Sequence, residues 1–352
     1  SNLKVYVNSH VTSFTQNSES DTQTILALSE NKNKLLVSTR NIILCAGAIE
    51  STRLALIYTE NLGIEKPKGL GRFFSDHLAI SVGYLRIADK IKQRVFNEAF
   101  SFRFEKNGTF RNIRFELNND ERDQLPPHYV HFTWKPADNG GFSTLRDIYQ
   151  QLQTGKLPSL GKIMKLIHHL PWLFKAIYWR IFKKRVLFDE DASLHLDVLL
   201  EQHPSTENMI TIDKSSNTNP FGQHKLEIDW KINQRDITNL NKIIKRLEAI
   251  WPSSKIGEIC SFERNDKNMI RDQLIANGGS FHPTGTTKLG DIAKGGCVNK
   301  NLYLYGTDKL QVLSTSIFPT GTGVNPTMML ILFALRAVDQ HVEQHAQRRH
   351  QS

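Results

Sequence analysis

Two turns carry the side chains best suited to moving a proton. In F-H-P-T-G-T-T-K-L-G, residues 281–290, His282 stands between Phe281 and Pro283 on a compact loop instead of on a helix or strand face. A neutral imidazole that titrates near neutral pH can take a proton from a hydroxyl. In G-T-G-V-N-P-T, residues 321–327, Asn325 is followed by Pro326, Thr327 and a nearly unbroken apolar run. Asn is a favoured helix N-cap and Pro suits the first helical position, so the spacing predicts a helix starting here, apolar almost all round and therefore buried. Its N-terminus would aim backbone N–H donors and partial positive charge at an electron-rich ligand atom, which Gly321 and Gly323 would let approach. Each turn alone also has a plain structural reading, as a cap met by a neighbouring carbonyl and as a histidine satisfied in the core. Together they fit a more specific chemistry, a base and an amide converging on one hydroxyl oxygen.

The elements that must position these turns follow from periodicity. Residues 5–14 and 24–37 read as antiparallel strands joined by the polar loop 16–22, and N-I-I-L-C-A, residues 41–46, reads as a strand covered on both faces. That strand stops at Gly47, before the helix-like E-S-T-R-L-A-L-I-Y. From about 77 to 142 the pattern is strands and polar loops. L-H-L-D-V-L-L-E-Q and N-M-I-T-I-D-K flank H-P-S-T-E in the manner of a hairpin, a strand follows at K-L-E-I-D-W-K-I, and a helix covers 236–250. Short strands at L-Y-L-Y-G and L-Q-V-L-S lie between the two glycine-rich turns.

The chain has 352 residues, enough for about two domains, and carries 45 Lys and Arg against 35 Asp and Glu. The resulting +10 charge concerns partners more than fold. Its three cysteines are too far apart for a local metal site, no Cys or His stands at ligand spacing from His282, and they read as free thiols. No apolar stretch reaches the roughly 20 residues of a spanning helix. The opening S-N-L-K-V-Y-V-N-S-H alternates as if the chain starts inside a strand, so Ser1 reads as a cut.

Taken in order, F-H-P-T-G-T-T-K-L-G, the stretch 301–341, N-I-I-L-C-A-G-A-I-E-S-T-R-L-A-L, G-L-G-R-F-F-S-D-H and E-Q-H-P-S-T-E-N-M-I-T-I-D closely resemble the glucose-methanol-choline (GMC) family of flavin oxidoreductases, C-terminal portion. The resemblance implies an FAD-dependent enzyme, dehydrogenase or oxidase, acting on the CH–OH group of an alcohol or sugar. His282 matches the family's base, and Asn325 matches a position held by a second histidine or an asparagine. The hydroxyl proton would pass to the base while hydride leaves carbon for the flavin. Ser314, Thr315, Asn325, Pro326 and Thr327 match positions at the flavin, and Val11 and Gly47 match positions beside its adenosine half. The implied fold is α/β: an FAD-binding doubly wound domain, incomplete, from 1–76 and 283–352, with a substrate domain, 77–282, on a largely antiparallel sheet covered by helices.

Two departures stand out: Ser314 replaces Asp or Gly, and Thr52 replaces Pro or Ser. The strand–G-x-G-x-x-G–helix fingerprint is absent, and Gly69 to Arg72 follows a loop, so the missing N-terminal half of the FAD domain is the expected partner of this chain. The competing reading is a non-catalytic C-terminal fragment that acts as a binding or membrane-associated module.

His77 in F-F-S-D-H reads as a loop histidine steadying a turn near Asp76, while Asp197 and Glu201 read as solvated or paired. Between 155 and 188 every ionisable residue other than histidine is basic, mixed with Trp172, Phe174, Tyr178, Trp179 and Phe182. Residues 162–185 therefore read either as amphipathic helices over a substrate cavity or as a surface that docks on a membrane or an electron-acceptor protein. No nucleic-acid-binding motif accompanies the charge.

Overall fold

The computed structural model describes residues 2–351 except 107, 119–124, 278 and 322–324, with the side chains of 277 and 344–351 also outside it. In chain order the first elements are β1 (His10–Gln16), β2 (Gln23–Leu28), β3 (Lys34–Thr39), β4 (Ile42–Leu44), α1 (Gly47–Asn61) and β5 (His77–Arg86). Then come α2 (Lys90–Phe100), β6 (Arg103–Phe104), β7 (Phe110–Arg111), β8 (Arg114–Phe115), β9 (His128–Lys135), α3 (Gly141–Gln153), α4 (Leu160–His168) and α5 (Leu170–Tyr178). The rest are β10 (Ser193–Glu201), β11 (Met209–Asp213), β12 (Lys225–Asp229), α6 (Gln234–Ile250), β13 (Ser261–Arg264), α7 (Lys267–Asn277), β14 (Leu310–Val312) and α8 (Thr327–Gln351).

The chain divides into two compact units, one of residues 1–77, 201–236 and 279–352, the other of 78–200 and 237–278. Residues 201–236, which the sequence assigns to the substrate part, cluster with the first unit.

In the first unit β1, β2 and β3 form an antiparallel sheet. The stretch 24–37 is thus two strands, because Lys32 takes a left-handed turn and the Asn33 carbonyl accepts from the Ser29 N–H. β4 pairs in parallel with β14, placing Ile42 beside Leu310 and Leu44 beside Val312 in a core with Phe14, Leu54, Tyr58 and Leu302. Ile43 points outward, so β4 is covered on one face only, contrary to the expectation from its apolar run. The hairpin expected around H-P-S-T-E does not form: β11 pairs with β12, and β10 pairs with β9.

In the second unit a five-stranded sheet runs β13-β5-β10-β9-β8. Leu194, Leu196, Val198 and Leu200 alternate along β10 onto its buried face, as period-two patterning requires. On α6, Leu240, Ile243, Ile244 and Leu247 fall at helical spacing and are all but fully buried. The sequence reading missed α2, whose Phe96 inserts between Phe132 and Trp134 of β9.

The C-terminal helix departs from the expectation of burial. Leu330 and Phe333 pack on the first unit's core and Phe333 meets Phe318 edge-on, whereas Met328, Ile331, Leu335 and Val338 are exposed, Met328 by 66%. Among the described residues only one face of α8 finds apolar partners, and an all-round apolar sequence does not say which.

Candidate active site

The threonines of T-G-T-T each tie the His282 turn to a different element. Thr284 exchanges backbone hydrogen bonds with Ser75 and shares a 2.9 Å hydroxyl contact with it. Thr286 Oγ1 lies 2.7 Å from Thr52 Oγ1 on α1, so the Thr at 52 makes a contact that a Pro could not. Thr287 Oγ1 lies 2.6 Å from Ser316 Oγ, which in turn lies 2.5 Å from Ser314 Oγ. All three threonines are fully buried, so each hydroxyl needs its partner.

Gly285 makes this possible. Its φ is +91°, and a Cβ there would sit 2.0 Å from the Phe73 carbonyl oxygen. Gly285→Ala is expected to cost about 2–5 kcal/mol, adding the left-handed conformation to overpacking against backbone. Urea unfolding measures this, and an unchanged midpoint would refute it.

Asp76 organises the histidines. Its Oδ1 accepts from the His77 N–H at 2.6 Å and the His282 N–H at 2.9 Å, and its Oδ2 accepts from the Phe281 N–H at 2.9 Å. The two rings consequently meet edge to face, centroids 5.2 Å apart. His77 is buried, and its Nε2 donates to the Gly321 carbonyl, since a carbonyl can only accept. In the neutral ring Nδ1 is then an acceptor. The group that comes close at Gly321 is therefore this imidazole, whose Cδ2 would lie 3.0 Å from a Cβ at 321. Gly323 lies outside the described residues.

Behind Asp76, its N–H reaches the Gln202 side-chain Oε1 at 3.3 Å, and Trp230 Nε1 donates to the same atom at 2.7 Å. Gln202 Nε2 donates to the Lys231 carbonyl, and Asp236 accepts from the His203 and Asn233 N–H groups. Gln202 and Asp236 are fully buried, which makes this a satisfied polar support for the clamp.

The remaining residues singled out by sequence are placed as follows. Thr315 Oγ1 donates to the Pro283 carbonyl at 2.8 Å, joining the 314–317 turn to the His282 loop. Ser314 is buried and caps that turn. Asn325 and Thr327 are exposed and Pro326 is buried. The Leu330 N–H bonds to the Pro326 carbonyl, so Pro326 takes the cap position that the sequence assigns to Asn325. No contact among the described residues joins Asn325 to His282. Val11 is half-buried on β1, and Gly47 opens α1 at φ +75°. Gly69 and Gly71 serve packing: a Cβ on them would meet the carbonyls of Gly295 and Ile210 at 2.0 and 2.5 Å. Asp197 is paired, accepting from Thr133 Oγ1 at 2.7 Å.

The same fold recurs in solved oxidoreductases. Pyridoxine 4-oxidase from Mesorbium loti matches with a TM-score of 0.52 at 15% identity, over 91% of this chain and 54% of that one. Formate oxidase from Aspergillus oryzae RIB40 matches with a TM-score of 0.53 at 14% identity, over 96% of this chain and 60% of that one. An FAD-dependent oxidoreductase from Chaetomium thermophilum matches with a TM-score of 0.50 at 13% identity, over 92% and 59%. The mixed α/β architecture is thus the one these proteins share.

The family model for GMC oxidoreductases, C-terminal domain, matches residues 204–334. The GMC oxidoreductase family protein Mala s 12 of Malassezia sympodialis (strain ATCC 42132) is 28% identical over 128 residues, 34% of this chain and 20% of that protein. Over residues 204–334 the chain is thus similar to the C-terminal domain of glucose-methanol-choline oxidoreductases. The chain spans between half and two thirds of the length of the solved structures it matches.

Proposed function

We propose that this chain is the C-terminal part of an FAD-dependent oxidoreductase that oxidises the CH–OH group of an alcohol or sugar, with His282 as the base. The observation that carries the reading is the Asp76 clamp, which fixes the backbone at His282 and sets its ring against the buried imidazole of His77. A base must be held within hydrogen-bond reach of the proton it takes, and this clamp acts on the main chain of His282 and not on its imidazole. His282 accepts the hydroxyl proton of the substrate, and the Asn325 amide donates to the same oxygen as negative charge grows on it. His77, anchored on Gly321, supports the turn between them.

The open end of α1 suits an FAD. Gly47 has no atom within 4 Å of where a Cβ would lie, and Ala46 at the cap offers no side-chain bond, so the first N–H groups can meet a polar ligand. The hydroxyls of Ser314 and Thr315 are engaged within the protein, so a contact of theirs with the flavin would have to come from the backbone. Val11 would flank the adenosine, and Asn325, Pro326 and Thr327 the flavin. When bound, the flavin supplies the acceptor for the hydride leaving the substrate carbon.

Anaerobic mixing of the flavin-loaded enzyme with primary alcohols and aldoses is expected to bleach the flavin's visible absorbance. If dithionite bleaches it and no alcohol or sugar does, the substrate class is wrong. The alternative of a non-catalytic module predicts no flavin binding at all.

A further inference from the structure

On α4, Leu160, Ile163, Met164 and Ile167 fall at i, i+3, i+4 and i+7, the spacing that ordinarily faces a core, yet all four are exposed, Leu160 by 80%. α5 repeats this with Leu170, Phe174, Ile177 and Tyr178, and Phe174 is 69% exposed. Neither helix has a fully buried residue. They are held from beneath: the Trp172 ring packs where Gly141 lacks a side chain, with 2.5 Å between a Cβ there and the ring, and Trp179 is buried. The aromatic residues of the segment therefore divide into anchors turned inward and rings turned outward, which the reading as a cavity cover does not explain.

Charge states what can cover this face. Asp147, Glu98 and Glu190, supplied by neighbouring segments, pair with Lys162, Lys183 and Lys175. Asp189 is taken up in capping α3 through the Gly141 and Phe142 N–H groups. Lys156, Lys165 and Lys184 meet no carboxylate among the described residues, and Arg180 lies over the Phe104 ring. A second copy of the chain would bring cations against cations, and like charges across an interface are unfavourable. Nucleic acid would use the cations but has no use for a stripe of Leu, Ile and Met, since such interfaces are polar. An anionic surface with an apolar interior satisfies both.

We propose that α4, α5 and the following turn to Lys184 dock this protein on an anionic lipid surface, with the two helices lying in the interface. Each helix has nine residues, about 14 Å long, far short of the hydrocarbon core, and no described helix is long and apolar enough to cross it. The surface lies within the second unit and is independent of the flavin chemistry.

The test is co-sedimentation of the protein with vesicles of phosphatidylcholine alone or mixed with phosphatidylglycerol, at low and high salt. Binding to the mixed vesicles at low salt, weakened about tenfold or more in the Lys165→Glu/Lys184→Glu variant and in the Phe174→Glu/Phe182→Glu variant, is expected. These side chains are exposed or, for the lysines, bound to no carboxylate, and unchanged thermal melting checks each variant's fold. Three results would overturn the proposal: no binding at low salt, binding that the Phe variant leaves unaltered, or a dimer on gel filtration that the Phe variant dissociates.

Discussion

Substituting His282→Ala in the flavin-loaded enzyme is expected to slow reduction of the flavin by substrate by about a hundred- to ten-thousand-fold, the usual contribution of a positioned base, while the flavin content stays unchanged. The expectation that binding survives comes from how the turn is held. Asp76 grips the N–H groups of Phe281 and His282, Thr315 donates to the Pro283 carbonyl, and the three buried threonines tie the next residues down. None of these contacts uses the imidazole. Removing it deletes the proton acceptor and the edge-to-face contact with His77, while these main-chain and hydroxyl bonds still hold the loop. Rapid anaerobic mixing gives the rate and the spectrum of the bound flavin gives its content. Reduction at the unaltered rate would remove His282 from the role of base, and loss of flavin together with activity would make it a structural residue.

The sequence was most legible where an element is determined locally. α1 follows from a strand that ends on Gly47 and a run with helical periodicity, and α6 from the stripe Leu240, Ile243, Ile244 and Leu247. The T-G-T-T turn was legible as a turn because Gly285 takes a conformation that other residues rarely adopt. What the turn is fastened to was not legible. Asp76 meets His282 across 206 residues and Thr52 meets Thr286 across 234, and no spacing rule encodes such pairings. For that reason F-F-S-D-H shows His77 only as a stabiliser of its own loop and does not reveal Asp76 as the clamp on His282. The outward face of α8 and the exposed stripes of α4 and α5 failed for a related reason. Periodicity reports that a face is apolar, and the molecule decides whether anything in the chain covers it.

Asp76 is where the largest loss of stability is expected. Asp76 is 7% exposed, its carboxylate is the acceptor for three main-chain donors from two chain segments, and hydrogen bonds to a charged group contribute about 1.5–3 kcal/mol each. Asp76→Ala leaves those donors without an acceptor and opens space beside Gly279, whose missing Cβ would lie 3.0 Å from Oδ2. The expected cost is about 3–5 kcal/mol, near the upper end for a single substitution. Asp76→Asn separates the two oxygens. An amide oxygen in the Oδ1 place can still accept from His77 and His282, whereas an NH2 in the Oδ2 place sets donor against donor at Phe281. Asn should therefore cost less, about 1–3 kcal/mol for the one group left unsatisfied. The same substitution should retain much more of the flavin-reduction rate than Ala does, because the His282 backbone keeps its anchor. Urea unfolding of the two variants, read beside their reduction rates, tests both halves. Equal losses for Ala and Asn would mean that the carboxylate's charge, and not the geometry of its three bonds, holds the histidines in place.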